Sequence, residues 1–107
     1  MNSLSIVLPV HNEKDNLNEL VRSWSESLKF HKLDYEFVIV EDGSTDGTKE
    51  LIIELEKKYP IVNLSQNQKR GYGLAVLDGI YKSTKEYILC TDSDNQIKVH
   101  SLINNLN

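Results

Sequence analysis

The sequence has little that would mark a secreted, membrane-spanning or nucleic-acid-binding protein. Its single cysteine, Cys90, cannot form an internal disulfide, so a reducing cytosol is the expected compartment. No apolar run approaches the roughly 18 to 20 residues that span a membrane. The start, Met1–Leu4, lacks the charged and apolar parts of a signal peptide. We therefore expect a cytoplasmic chain, associated with a membrane only as part of a longer protein.

The sequence also has no excess of basic over acidic residues. The formal net charge of −4 argues against general affinity for nucleic acid, which depends on clustered Lys and Arg. The 107 residues fit one domain of ordinary size. Hydrophobic residues make up 39% of the chain, a little below the roughly 45–50% of typical domains. We expect a thin core and a surface that meets a partner or a further segment, and the sequence leaves a homo-oligomer open.

Short apolar runs alternate with segments of helical periodicity. The runs are typical of buried parallel strands and cover 4–10, 35–40, 61–65 and 86–90. The first strand is expected to end at Pro9, and Cys90 to be a small buried side chain. Asp46 or Thr45 is expected to cap the second helix.

Helical spacing also predicts which side of each later helix is apolar. For the third helix the expected apolar side is Leu74, Val76, Leu77, Ile80 and Tyr81, with Gly79 lowering its regularity. A fourth helix is predicted from Val99, Leu102, Ile103 and Leu106.

Strand and helix alternate four times, which predicts an α/β fold: a Rossmann-like parallel β-sheet with helices on both faces. Ligands of such sheets bind beyond the carboxyl ends of the strands, where the strand order reverses. Four polar segments follow predicted strand ends, and parallel topology brings them to one edge. They are Pro9–Glu13, Glu41–Asp46, Asn67–Gly73 and Asp92–Gln96.

The last of these segments points to a metal. Asp92 and Asp94 are carboxylates one residue apart, which repel each other unless a cation lies between them. Mg²⁺ and Mn²⁺ take oxygen ligands and are commonly held by one or two carboxylates together with substrate phosphates. Gln96 adds a neutral oxygen. An isolated Asp-x-Asp is more often an ordinary turn, so it is the other three segments that favour a metal-bridged nucleotide.

The other segments offer partners for a nucleotide. Asp42 is the first candidate to accept hydrogen bonds from a ribose or a base, and Glu13 is the second, although each is as readily explained as a turn or helix cap. Gly71 and Gly73 permit close backbone approach of an anion near a helix start. Arg70 adds charge-assisted bonds to that anion, or is simply a solvated basic residue.

The four segments together resemble the nucleotide-binding half of family 2 glycosyltransferases, which have the GT-A fold. The matching stretches are Pro9–Glu13, Glu41–Thr48, Lys69–Gly73 with Ala75, and Asp92–Gln96. A glutamine two residues after the second aspartate most resembles the polyprenyl-phosphate branch, which includes dolichol-phosphate mannose synthases.

The resemblance implies transfer of a sugar from a UDP- or GDP-sugar, with inversion, to an acceptor such as a polyprenyl phosphate or a cell-surface glycan. It implies nucleotide contacts at Pro9, Val10, Glu13, Asp42, Arg70, Gly71, Asp92 and Ser93, and Mg²⁺ or Mn²⁺ held by Asp92, Asp94 and Gln96. His11 departs from the commoner tyrosine. The family's acceptor-binding half and its general base are not in this sequence, so we expect the chain to be one part of a longer glycosyltransferase.

Three other classes of protein fit parts of the pattern. A non-catalytic nucleotide-sugar-binding module would bind the same donor without turnover. A receiver-like signalling domain also gathers acidic residues at strand ends, but it leaves the loops at Gly43 and Gly71 unexplained. A nucleotidyltransferase usually has a glycine-rich basic loop after the first strand, where this chain has Pro9–Glu13.

Overall fold

The computed structural model describes residues 3–66 and 71–91, which form four strands and three helices. In chain order they are β1 (Ser3–Val10), α1 (Lys14–Phe30), β2 (Asp34–Asp42), α2 (Thr48–Glu56), β3 (Ile61–Gln66), α3 (Tyr72–Lys82) and β4 (Tyr87–Cys90). The predicted fourth helix lies outside the described residues. Within the described ranges, no helix has the length and apolar content that a membrane crossing requires.

The strands form one parallel sheet in the order β3-β2-β1-β4. The chain moves outward from β1 to β2 and β3, and then crosses back to place β4 on the other side of β1. The strand order therefore reverses between β1 and β4, which is where ligands of such sheets bind. The α/β fold predicted from the alternating pattern is confirmed.

Both faces of the sheet carry helices, as predicted. Alternate side chains of β1 and β2, such as Ile6 and Phe37, pack with Leu17 and Trp24 of α1 and Ile52 of α2 in one buried cluster. The opposite face of the same strands contacts α3. Since β1 and β2 are covered on both sides, their sequences read as continuous apolar runs rather than alternating ones.

The predicted apolar side of α3 is wrong. Leu74, Leu77 and Tyr81 are exposed, whereas Ala75 and Gly79 are buried against the sheet. A Cβ atom at Gly79 would lie 2.3 Å from Cγ1 of Val7, so only glycine allows the helix to come this close. Helical spacing correctly groups residues on a common side of the helix. It is the side with the small residues, however, that contacts the sheet, and the side with the bulky residues faces away.

β1 extends through Pro9 to Val10, past the predicted end at Pro9. The carbonyl of Val7 accepts a hydrogen bond from the Thr91 N–H at 3.1 Å, so the backbone of Val7 faces β4. Pro9, two residues on, faces the same side, but β4 already ends at Cys90, the partner of Val7. The missing N–H of proline therefore interrupts no ladder bond, which is how proline is tolerated in a strand.

The expectation that Cys90 is buried is also wrong. Its side chain is exposed, as are those of Tyr87 and Ile88. Among the described residues β4 pairs only with β1, and it therefore forms an edge of the sheet. Apolar sequence alone does not distinguish an edge strand from a central one.

Candidate functional site

The loops after β1 and β2 are joined at the carboxyl edge of the sheet. The N–H of Asn12 donates to the hydroxyl of Ser44 at 2.9 Å, and the side-chain oxygen of Asn12 accepts from the N–H of Thr45 at 2.8 Å. Asn12 has a φ of 54°, in the left-handed region that asparagine tolerates better than most residues. The first polar segment is thereby fixed against the second.

Asp46 and Thr48 extend the hydrogen bonds between these two loops to the first turns of α1 and α2. The hydroxyl of Thr48 accepts the N–H of Glu13 at 3.0 Å, and Asp46 Oδ2 accepts the N–H of Lys14 at 3.3 Å. Asp46 Oδ1 accepts the hydroxyl and the N–H of Thr48. The Thr48 hydroxyl in particular lowers the pKa of Asp46 below its usual value. The N-cap position of α2 is Gly47, so Asp46 acts from one residue before the cap.

Asp42 connects three of the predicted segments. Its side chain is buried, with 5% of the residue exposed, at the end of β2. Its Oδ2 accepts the N–H of Gly71 at 3.0 Å, and its carbonyl accepts a hydrogen bond from His11 Nδ1 at 2.8 Å. Because a carbonyl only accepts, Nδ1 of His11 carries the proton. A carboxylate held in this way is orientated before any ligand arrives.

Glu41 is a site residue that the sequence reasoning did not single out. It is fully buried, its Oε2 accepts the N–H of Ser44, and its Oε1 lies 3.7 Å from Nζ of Lys49. The intervening Gly43 has a φ of 72°, which favours glycine. Glu41 thus holds the turn that follows Asp42, and Lys49 offsets its buried charge. The glutamate next to Asp42 at the end of an apolar run was the available signal.

The other predicted nucleotide contacts that the structure describes lie at the same edge. Glu13 is the N-cap residue of α1, where its carbonyl accepts the N–H of Leu17 at 2.9 Å and its Oε2 accepts the side chain of Asn16 at 3.2 Å. Pro9 is half-buried, and the side chain of Val10 belongs to the core. Gly71 is the N-cap residue of α3 and has a φ of 97°.

β4 runs towards the same edge beside β1 and ends at Cys90, the partner of Val7. Thr91 is buried, and its hydrogen bond to Val7 fixes the backbone from which the acidic segment continues. Five predicted site residues lie outside the described residues: Arg70, Asp92, Ser93, Asp94 and Gln96. Among residues 3–66 and 71–91, no three His, Cys, Asp or Glu side chains are grouped to hold a metal ion. The predicted metal ligands Asp92, Asp94 and Gln96 lie in the segment 92–96, and carboxylate and amide oxygens are ligands that suit a hard divalent cation.

Comparison with known families gives one match over nearly the whole chain. The model of the family described as "Glycosyl transferase family 2" matches residues 5–105. This range includes all four polar segments.

Two curated proteins show the same likeness. A dolichol-phosphate mannosyltransferase of Pyrococcus furiosus is 33% identical over 93 residues, covering 87% of this chain and 26% of that protein. An undecaprenyl-phosphate 4-deoxy-4-formamido-L-arabinose transferase of Pseudomonas fluorescens is 35% identical over 95 residues, covering 87% of this chain and 28% of that protein. The chain thus spans little more than a quarter of the length of these relatives.

A solved structure has the same fold. The crystal structure of S. aureus TarS 1–349 in complex with UDP-GlcNAc matches with a TM-score of 0.81 and 25% identity, covering 99% of this chain and 30% of that chain.

Proposed function

This chain belongs to the family 2 glycosyl transferases, and we propose that it is the donor-binding part of an enzyme that transfers a sugar from a nucleoside diphosphate sugar to an acceptor. The observation that carries the proposal is Asp42: a buried carboxylate at the carboxyl edge, bonded to the amide of Gly71 and joined through its carbonyl to His11. The TarS structure with bound UDP-GlcNAc supports this class of donor.

Asp42 is proposed to bind the nucleoside. Its carboxylate accepts hydrogen bonds from ribose hydroxyls or from an N–H of the base, as acidic residues do in dinucleotide-binding sheets. Since the Gly71 amide already fixes one carboxylate oxygen, the side chain does not have to be ordered when the ligand binds. Pro9, Val10 and Glu13 are proposed to border the nucleoside on the β1 side.

A divalent cation, Mg²⁺ or Mn²⁺, is proposed to be held by Asp92, Asp94 and Gln96. When bound, it supplies Lewis-acid stabilisation of the charge on the leaving diphosphate. Arg70 and Ser93 are proposed to contact the donor next to this site. The backbone of Thr91 connects the cation-binding segment to β1.

The proposed acceptor is a polyprenyl phosphate, since both curated relatives are named for such acceptors. A phosphate monoester has its second pKa near 6, so it is largely ionised at pH 7 and attacks the sugar carbon without a general base. Direct displacement of this kind inverts the anomeric carbon, and the reaction takes place at a membrane surface because the acceptor is a lipid.

The proposal is tested by calorimetric titration of the chain with UDP, GDP, CDP and dTDP, each with and without Mn²⁺. We expect one or two of the nucleotides to bind, and to bind more tightly with Mn²⁺. Equal, metal-independent binding of all four would contradict the proposal. Metal-dependent binding without sugar transfer to any polyprenyl phosphate, by a protein that contains the full length of its relatives, would instead favour a non-catalytic nucleotide-sugar-binding module.

A further inference from the structure

Among the described residues, β3 forms the other edge of the sheet, because it pairs only with β2. The carbonyl of Pro60 accepts the N–H of Phe37 at 2.9 Å, so the backbone of Pro60 faces β2. Successive residues of a strand direct their N–H and C=O groups to opposite sides. Ile61, Asn63 and Ser65 therefore direct theirs away from the sheet.

The strand β3 lacks the features that usually protect an edge. Natural edge strands are kept from pairing with another chain by charged residues, by proline or by a bulge. The six residues Ile61–Gln66 include no charged residue and no proline. Their pairing with β2 is regular over all six positions. A regular, uncharged strand of this kind is a template on which a further strand can pair.

A second copy of β3, running antiparallel to the first, matches the outward groups. With Asn63 opposite Asn63 of the second copy, Ile61 of each copy lies opposite Ser65 of the other. In an antiparallel ladder, residues in a hydrogen-bonded pair exchange both of their N–H···O=C bonds. All outward N–H and C=O groups of both strands are then paired across a two-fold axis, and the contact closes on itself as a dimer.

The side chains also match in this register. Val62 lies opposite Leu64 of the second copy in the more closely spaced, non-hydrogen-bonded pairs, so apolar side chains meet on the α3 face of the sheet. On the other face, Asn63 donates to Glu56 at 2.6 Å and accepts from the hydroxyl of Ser65 at 3.1 Å. The polar side chain at the axis is therefore already hydrogen-bonded within its own copy.

A cleft between β3 and α3 adds charge complementarity. It has a volume of about 350 Å³ and is lined by Asn63, Leu64, Ser65, Asp78, Tyr81 and Lys82. Tyr81 is 84% exposed. α3 begins at the carboxyl edge of the sheet and ends at the amino edge, so it runs antiparallel to β3. The two-fold axis reverses the order of Asp78 and Lys82 in the second copy, which brings opposite charges to the two sides of the groove and favours a second copy over an unrelated strand.

We propose that β3 is a homodimerisation edge, where two copies of the chain pair antiparallel about Asn63 and join their four-stranded sheets into one. Both α3 helices then lie on the same face. One short strand from each copy makes a small interface, of the size found in transient complexes, so the dimer is reversible. The inference depends on neither the donor nor the metal of the proposed function.

The test compares the wild-type chain with Asn63→Pro and the matched control Asn63→Ala, by sedimentation velocity over a series of protein concentrations. Both variants lose the side-chain bonds of Asn63, but only proline removes its outward N–H. Since that N–H faces away from β2, the ladder within one copy stays intact. We expect the wild type and Asn63→Ala to dimerise as the concentration rises. Asn63→Pro should raise the dissociation constant at least about tenfold, because each copy loses a bond at the axis.

Amide hydrogen exchange measured by NMR locates the contact. The amides of Ile61, Asn63 and Ser65 should exchange more slowly as the protein concentration rises, at least about tenfold when the dimer predominates. The amides of Val62 and Leu64 face β2 and should be protected at every concentration. Dimerisation through another surface would not produce this alternation along the strand.

A wild-type chain that stays monomeric up to about 1 mM would overturn the proposal. So would a dimer that Asn63→Pro leaves intact, or one that leaves the exchange of Ile61, Asn63 and Ser65 unchanged. Protection of these amides by a strand of a different protein, with the chain itself monomeric, would also overturn self-pairing. If Asn63→Pro does not fold, Ser65→Pro with the control Ser65→Ala takes its place, because the N–H of Ser65 also faces outward.

Discussion

Replacing Gly79 with alanine tests how α3 packs on the sheet. An alanine Cβ would lie 2.3 Å from Cγ1 and 3.4 Å from Cβ of Val7, and 3.2 Å from Cγ2 of Val40. Carbon atoms in contact are normally about 3.5–4.0 Å apart. Val7 and Val40 are both fully buried, and branched side chains have few alternative rotamers. The helix must therefore move away by more than about 1 Å.

The magnitude follows from two opposing effects. Overpacking of a filled core costs about 1–3 kcal/mol, and the two immobile valines place this site in the upper part of that range. Alanine favours a helix over glycine by about 1 kcal/mol. We expect Gly79→Ala to lower the free energy of unfolding by about 1–2 kcal/mol, with a fall in Tm of about 4–8 °C for each kcal/mol.

Gly73→Ala is the matched control, because it lies in the same helix and its added Cβ would meet no atom within 4 Å. It should leave the free energy of unfolding unchanged or raise it by up to about 1 kcal/mol. Urea unfolding followed by circular dichroism measures both variants, with Val7→Ala and the double variant completing a cycle. The double variant Val7→Ala/Gly79→Ala should lose about 1 kcal/mol less free energy of unfolding than the sum of the two single losses. Additivity within about 0.5 kcal/mol, or a Gly79→Ala variant as stable as the wild type, would refute the close packing of α3.

Two further outcomes concern single carboxylates. The lowered pKa of Asp46 means that its charge stabilises the fold above its unfolded-state pKa, near 3.8, and that this stabilisation is lost as the pH falls through the lower folded value. Thermal melts should show Asp46→Asn less stable than the wild type at pH 7, with the gap closing in acid; a gap independent of pH would contradict this. Asp94→Ala should abolish the Mn²⁺ dependence of nucleotide binding in calorimetry, and a full Mn²⁺ effect in this variant would rule Asp94 out as a ligand.

The strands and the common edge of the sheet could be predicted from the sequence because their signals are local. Each apolar run is followed at once by turn-forming polar residues, so the order of elements and the parallel topology place the segments at Asn12, Asp42 and Gly71 together. Their hydrogen bonds to one another confirm that arrangement. The contacts themselves were not predictable, because a bond such as that from Gly71 to Asp42 joins residues far apart in the chain.

The wrong predictions for α3 and for Cys90 have a shared physical cause. The neighbours of an element decide which of its sides is buried and how closely it packs. Helical periodicity says that Leu74, Leu77 and Tyr81 share a side of α3, but not that Ala75 and Gly79 allow a closer approach to the sheet. The apolar residues around Cys90 likewise do not indicate that β4 is an edge strand. The buried Glu36 was overlooked for a related reason: only the structure shows that it accepts hydrogen bonds from the N–H and the hydroxyl of Thr84, 48 positions away.

The most direct measurement of the central claim is the affinity of Asp42→Ala for the tightest-binding nucleotide and for pyrophosphate, both by calorimetry, with Asp34→Ala at the other end of the same strand as the control. If Asp42 holds the nucleoside, nucleotide affinity falls about tenfold or more, equivalent to roughly 1.4 kcal/mol, while pyrophosphate affinity changes less than about twofold. A folded Asp42→Ala variant that keeps its nucleotide affinity, or that loses both ligands equally, would contradict the claim.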